Sequence, residues 1–280
     1  MPAVRVVTDS ACDLPDELVA DLGIGLVPLR IRFGEDELTD RTELSTKEFW
    51  LRSATAPTLP ETSAPSPGAF EQEFRRLGEQ ASEGVVCVNL SSRLSATIEA
   101  ARQAARSLEG TVDVRVVDSY SVTMGQGLVV IEAARRAAAG GSLDEVVDAA
   151  EEAVARMKVY GVIDTLENLK KGGRIGGAAA LVGSLLSIKP VIEVRGGVVE
   201  EESKQRTRNR SLEYLASKVR AAGPLSRLAL FGGDAPDLDR FIEMLSDVKA
   251  AEPTLIGEIG PVIGSHAGPG AIGAAWLPAG

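Results

Sequence analysis

Apolar positions fall in two rhythms along this chain. Short runs rich in Val, Ile and Leu alternate with Ala-rich stretches whose apolar residues recur at helical spacing. That alternation is the signature of a parallel α/β architecture. In the first half, "AVRVVTD", "GLVPLRIRF", "GVVCVNLSS" and "VDVRVVDS" read as strands. Helices are predicted over Pro15–Leu22, Thr46–Arg52, Gly68–Glu79, Ser95–Leu108, Met124–Ala139 and Leu143–Met157. In the last of these, Val146, Val147, Ala150, Val154 and Met157 share one face, which is a core stripe.

A second α/β segment begins near Tyr160. The pattern predicts a strand at "YGVIDTL", a loop at "ENLKKGGRIGG", the apolar run "AALVGSLLSIKPVIEV" and a hairpin at "RGGVVEEESKQRTR". A helix at Ser211–Ala222, a strand at "LALFGG", a helix at Pro236–Ser246 and a final strand running into "GSHAGPGAIG" complete it. The expectation is two α/β domains, 1–158 and 159–280, packed closely with a cleft between them.

Composition narrows the function. The chain has 280 residues, 44% hydrophobic, 25% charged and only 4% aromatic, so its core is aliphatic. A net charge of −10 argues against non-specific nucleic-acid binding, which requires Lys and Arg to displace counterions, and against an anionic membrane surface. Two distant cysteines, Cys12 and Cys87, and a single histidine exclude a Cys/His zinc site. The N-terminus lacks the basic and apolar regions of a signal peptide, and the uncharged-leaning run from Ile175 to Ile188 is too short to span a bilayer. A cytoplasmic protein with no integral membrane segment is expected.

The sole histidine, His266, sits in a glycine-rich stretch that contains a literal GxGxxG at Gly268, Gly270 and Gly273. A dinucleotide fold needs a helix, a second strand and an acidic residue after that motif. Too few residues follow Gly273 to supply them, so the match is spurious. No GxxxxGK[ST] loop and no GxSxG elbow occurs. Asp9, Ser10, Asp118 and Ser119 end two of the strands, as helix caps or as ligand contacts at the carboxyl edge of a parallel sheet. "KKGGRIGG" is a glycine-closed helix end or, through Lys170, Lys171 and Arg174, a basic patch for an anion or an acidic partner.

Two hydroxyl-rich turns remain. "PETSAPSPGAF" is stiffened by Pro60, Pro65 and Pro67, and "NLSSRLSATIEAA" places Ser91, Ser92 and Ser95 at a strand end and helix start. Free backbone N–H groups there favour a carboxylate or phosphate. A hydrolase with His266 as base for Ser92 or Ser95 is conceivable, but no orienting acid stands at a recognisable spacing.

Taken in order, "VTDSACDLP", "TSAPSPGAF", "SSRLSATIEAAR", "VVDSYSVTMGQG", "DTLENLKKGGRIG", "LLSIKPVIEVRGG", "RTRNRSLEYL" and "IGPVIGSHAGPGAIG" resemble the DegV family of bacterial fatty-acid-binding proteins. The resemblance implies two α/β domains enclosing one long-chain fatty acid, such as palmitate or oleate, with no other cofactor. It implies presentation of that lipid to a fatty acid kinase, the binding protein itself not being an enzyme. Thr62 and Ser95 would hydrogen-bond the carboxylate, with Ser92 close by and His266 and Arg174 completing the network. Ala64 and Ala96 depart from the family pattern, where glutamine and glycine are common. Burying roughly 15 methylenes contributes on the order of 10 kcal/mol before ordering costs. A buried carboxylate then needs a cation or several donors. Two other readings fit the same residues: a His266-dependent enzyme on a small carbonyl or ester, and a lipid-sensing regulatory module.

Overall fold

The computed structural model describes residues 3–179 and 188–279. In chain order the elements are β1 (Val4–Asp9), α1 (Asp16–Asp21), β2 (Gly25–Val27), β3 (Arg30–Phe33), β4 (Asp36–Thr39), α2 (Thr46–Thr55) and β5 (Glu61–Ser63). Next come α3 (Pro67–Gly78), β6 (Gly84–Asn89), α4 (Thr97–Ser107), β7 (Val114–Asp118), α5 (Thr123–Ala138), α6 (Leu143–Arg156), β8 (Lys158–Val162) and α7 (Glu167–Lys171). The chain closes with β9 (Lys189–Arg195), β10 (Val198–Gln205), α8 (Arg208–Ala221), β11 (Leu225–Gly233), α9 (Leu238–Met244), β12 (Leu255–Glu258), α10 (Pro261–Ala267) and β13 (Ala271–Pro278).

Among the described residues the strands form three sheets. The first is parallel throughout, in the order β2-β1-β6-β7. The second runs β10-β9-β8-β13-β11-β12 and is antiparallel except where β11 meets β12. A small antiparallel sheet, β4-β3-β5, joins Ile31 to Thr62 in register. The alternating apolar runs thus give a mixed α/β fold.

Between the two large sheets, α5 packs against β1 and β6 on one hand and β8, β11 and β13 on the other. It is buried along nearly its whole length, which is why its sequence shows little amphipathic alternation. Polar groups on this helix must find partners inside. Gln126 donates to Thr8 and to the buried carboxylate of Asp9, which also accepts from Asn89 and from the Leu90 and Ala11 amides. Asp9 is therefore the hub of the β1 end as well as its cap.

Three sequence expectations change. "GLVPLRIRF" is two strands, because Pro28 lacks the N–H a ladder requires and breaks the run between β2 and β3. "ENLKK" is a short helix, α7, rather than loop. The final strand does not run into the glycine-rich stretch; β12 ends at Glu258, and Pro261 opens α10, which carries His266. Gly268 and Gly270 then turn the chain with φ of 76° and 78°, a left-handed geometry glycine adopts without steric cost, into β13. That strand lies in the middle of the second sheet, yet "AIGAAWLP" is too rich in Ala and Gly to announce itself. The apolar reading over 179–194 becomes β9 at its end; residues 180–187 lie outside the described residues.

Candidate functional site

Where α10, α7 and the β9–β10 hairpin face the loop after β6, the described residues enclose a cavity of about 100 Å³. Its walls are aliphatic: Leu29, Leu90, Leu94 and Val122 from the first sheet's side, Ile192, Val194, Val199 and Ile263 from the other. Four polar side chains break this lining, and they are Thr62, Ser95, Arg174 and His266. Thr62, Arg174 and His266 also line an adjoining polar basin of about 600 Å³, with Lys171, Asn168 and Ser265. The polar residues thus stand at the junction of an apolar slot and an open basin.

Local structure fixes each of them. Thr62 is held by its place in β5, paired to Ile31. Its hydroxyl lies 2.9 Å from His266 Nε2. His266 occupies the last turn of α10, and its Nδ1 abuts Gly172, where an added Cβ would lie only 2.5 Å away. Burial, with the Arg174 guanidinium second, holds the imidazole well below its usual range, at about 4. It is neutral at neutral pH. Arg174 donates Nε to the Leu94 carbonyl at 3.0 Å and Nη1 to the Gly172 carbonyl at 2.5 Å. Among the described residues, no carboxylate pairs with it.

Ser95 accepts from the Thr97 amide at 3.2 Å and shares a 2.9 Å hydrogen bond with the Thr97 hydroxyl. Ser92 stands apart from this group. It is exposed, its amide donates to the Asp118 carboxylate at 3.3 Å, and it does not line the cavity. The structure therefore brings together four of the five residues singled out from sequence. Ser91, its neighbour, instead donates to the Gly197 carbonyl at 2.7 Å, joining the first sheet's loops to the β9–β10 hairpin.

Chemically, the junction offers a guanidinium without a carboxylate partner among the described residues, a neutral imidazole, and two hydroxyls. Such a set receives an anion, and a carboxylate fits its planar donors. It does not resemble an activated nucleophile. Ser95 engages Thr97 rather than His266, and no carboxylate among the described residues hydrogen-bonds the imidazole to orient it as a base. Sequence reasoning passed over Asn168, whose Nδ2 donates to the Ser265 carbonyl at 3.2 Å and ties α7 to α10, and Gly172, which makes room for the imidazole. Both lie in "ENLKKGG", where the glycines and the two lysines were the signals and neither pointed to Asn168.

The sequence matches the family model described as "uncharacterised protein, DegV family" over residues 3–279. A DegV domain-containing protein of Streptomyces coelicolor is 40% identical over 276 residues, covering 96% of each chain. A solved DegV family protein from Thermus thermophilus, described as fatty-acid binding, is 33% identical with a TM-score of 0.91 over 100% of both chains. A stearic acid-binding protein from Eubacterium ventriosum is 28% identical with a TM-score of 0.88 over 98% of both. By sequence along almost its whole length and by fold, this chain belongs to the DegV family.

Proposed function

We propose that this protein binds one long-chain fatty acid, such as palmitate or oleate, and presents its carboxylate to a fatty acid kinase. The carboxylate sits at Arg174, Thr62, His266 and Ser95, and the acyl chain runs into the aliphatic slot. One observation carries the reading: a guanidinium with no carboxylate partner among the described residues, beside a neutral His–Thr pair, at the mouth of an otherwise apolar cavity. Fatty-acid binding by the Thermus and Eubacterium relatives supports it.

At about 100 Å³ the slot is smaller than the roughly 300–1,000 Å³ usual for ligand sites. A long chain therefore enters by displacing aliphatic side chains such as Ile192, Val194 and Val199, which have no polar bonds to break. Presentation is supported by the basin, which leaves the carboxylate end reachable from outside past Lys171. The protein acts as a cytoplasmic carrier, the kinase and its nucleotide supplying the phosphoryl group and the binding protein supplying position. No helix among the described residues is long and apolar enough to cross a membrane.

Palmitate and hexadecanol share a chain and differ in the headgroup. Palmitate binding tighter by about tenfold or more, with the difference removed by Arg174→Ala, is expected. Equal affinities would place the headgroup elsewhere.

A further inference from the structure

Away from the cavity, the buried Asp13, Asp40 and Thr123 gather beside the half-buried Arg41, a group that the headgroup account leaves unused. Asp13 is only 6% exposed and adopts a left-handed φ of 52°, a conformation that non-glycine residues keep only where surroundings impose it. Thr123 and Arg41 are left-handed as well, at 48° and 63°. Three such residues round one carboxyl mark a seam held in a demanding geometry.

What that geometry achieves is a bond across the molecule. Asp13 Oδ1 accepts the Gly260 N–H at 3.1 Å, linking the segment after β1 to the residue from which α10 begins. Gly260 has no side chain to cap the helix, and an added Cβ there would stand 2.6 Å from Asp13 Oδ1. The other end of α10 is held by Asn168 on the Ser265 carbonyl. A seven-residue helix has too few internal bonds to fix its own orientation. Where its first and last turns are pinned decides where the His266 ring lies against Thr62.

We infer that Asp13 is a positioning residue for the headgroup site, holding the start of α10 through the Gly260 N–H and thereby setting the His266–Thr62 pair. Its effect reaches the ligand only through the helix. The inference rests on His266 being a headgroup contact, but its structural part stands on α10 alone.

The carboxyl is also placed to respond to pH. Burial pushes Asp13 up to about 7, the Thr123 hydroxyl, the Arg41 guanidinium and the Gly260 amide pull it down, and Asp40 pushes it up. Either protonation state offers Gly260 an oxygen, and the ionised form binds the N–H more strongly.

His266 is the only histidine, so its imidazole resonance in a proton–carbon NMR spectrum is unambiguous. The expected wild-type titration shows the ring's own inflection at about 4 and a smaller one at about 7 transmitted from Asp13. Asp13→Asn keeps an acceptor oxygen and removes the second inflection, with palmitate affinity within about twofold of wild type. Asp13→Ala displaces the imidazole resonance and weakens palmitate capture about tenfold. An imidazole resonance unmoved in Asp13→Ala, or an inflection at about 7 that persists when Asp13→Asn is combined with Asp40→Asn, since Asp40 titrates at about 6 beside it, overturns the inference. Should Asp13→Ala not fold, the Asp13→Asn titration decides. The resonance needs no lipid, so loss of the fatty-acid reading would leave this result standing, and the converse holds too.

Discussion

His266 and Thr62, 2.9 Å apart and separated by most of the chain, are the pair on which the headgroup account turns. Thr62→Val keeps the shape and removes the hydroxyl, and it should weaken palmitate binding about tenfold, read by displacement of a fluorescent fatty acid. Gly172→Ala tests the same geometry from behind. Its Cβ would meet His266 Nδ1 at 2.5 Å, so the ring must move and affinity should fall comparably without any contact to lipid being altered. Unchanged affinity in both variants would separate the pair from the ligand. The depressed imidazole has a stability consequence with a definite sign. A group with its folded pKa below the unfolded 6.5 contributes stability that is fully present above 6.5 and lost as pH falls through about 4. At this scale the sequence was informative where a residue type is scarce. The sole histidine, two hydroxyl-rich turns and an arginine among glycines drew attention, and the family resemblance assigned one residue or more from each to a single headgroup; the fold brings Thr62, Ser95, Arg174 and His266 to one cavity. Only the family resemblance put Ser95 ahead of Ser92, because which serine of "SSRLS" faces inward depends on how the turn before α4 closes.

Helix α10 and strand β13 were the elements least legible in advance. The first is seven residues long with a glycine inside it, and the second is built from Ala and Gly, so neither periodicity nor propensity marks it. Both are imposed by packing. Phe49 on α2 is fully buried and lies 2.7 Å from where a Cβ on Gly264 would stand, so α10 sits directly on that ring. Phe49→Ala should cost about 3–5 kcal/mol in chemical denaturation and also reduce lipid affinity, since it removes the floor under α10. A stability loss with affinity intact would show that α10 keeps its place without that floor. The long helices were easier to read because their apolar stripes are many turns deep, as in α6 with Val146, Ala150 and Ala153 buried. Their ends shifted by up to three residues, as at the start of α8, because cap geometry rather than pattern decides them.

Across the whole molecule, the parallel sheet is drawn from residues 4–118 and the six-stranded sheet from 158–278, with α5 packed against both. We propose a division of the chain at 158/159, which falls one residue inside β8, whose first residue is Lys158. A fragment ending there bares the α5 surface that faces β8, β11 and β13, and should self-associate. Buried carboxyls add a global pH dependence. Burial raises Asp13 to about 7, Asp40 to about 6, and Asp9 as well, all above the unfolded 3.8. Each favours the folded state fully below 3.8 and loses that contribution as pH rises through its folded value. Above pH 6.5, where His266 no longer opposes them, the melting temperature should fall toward pH 8, and Asp13→Asn should flatten the fall. The aliphatic, low-aromatic composition is compatible with a lipid slot or an ordinary core, and the proposed lipid site rests on the junction of slot, guanidinium and imidazole. Native mass spectrometry of the protein purified from cells tests that junction most directly. One long-chain fatty acid per chain, lost on Arg174→Ala, is the predicted result; an empty protein that also fails to take up palmitate or oleate contradicts it.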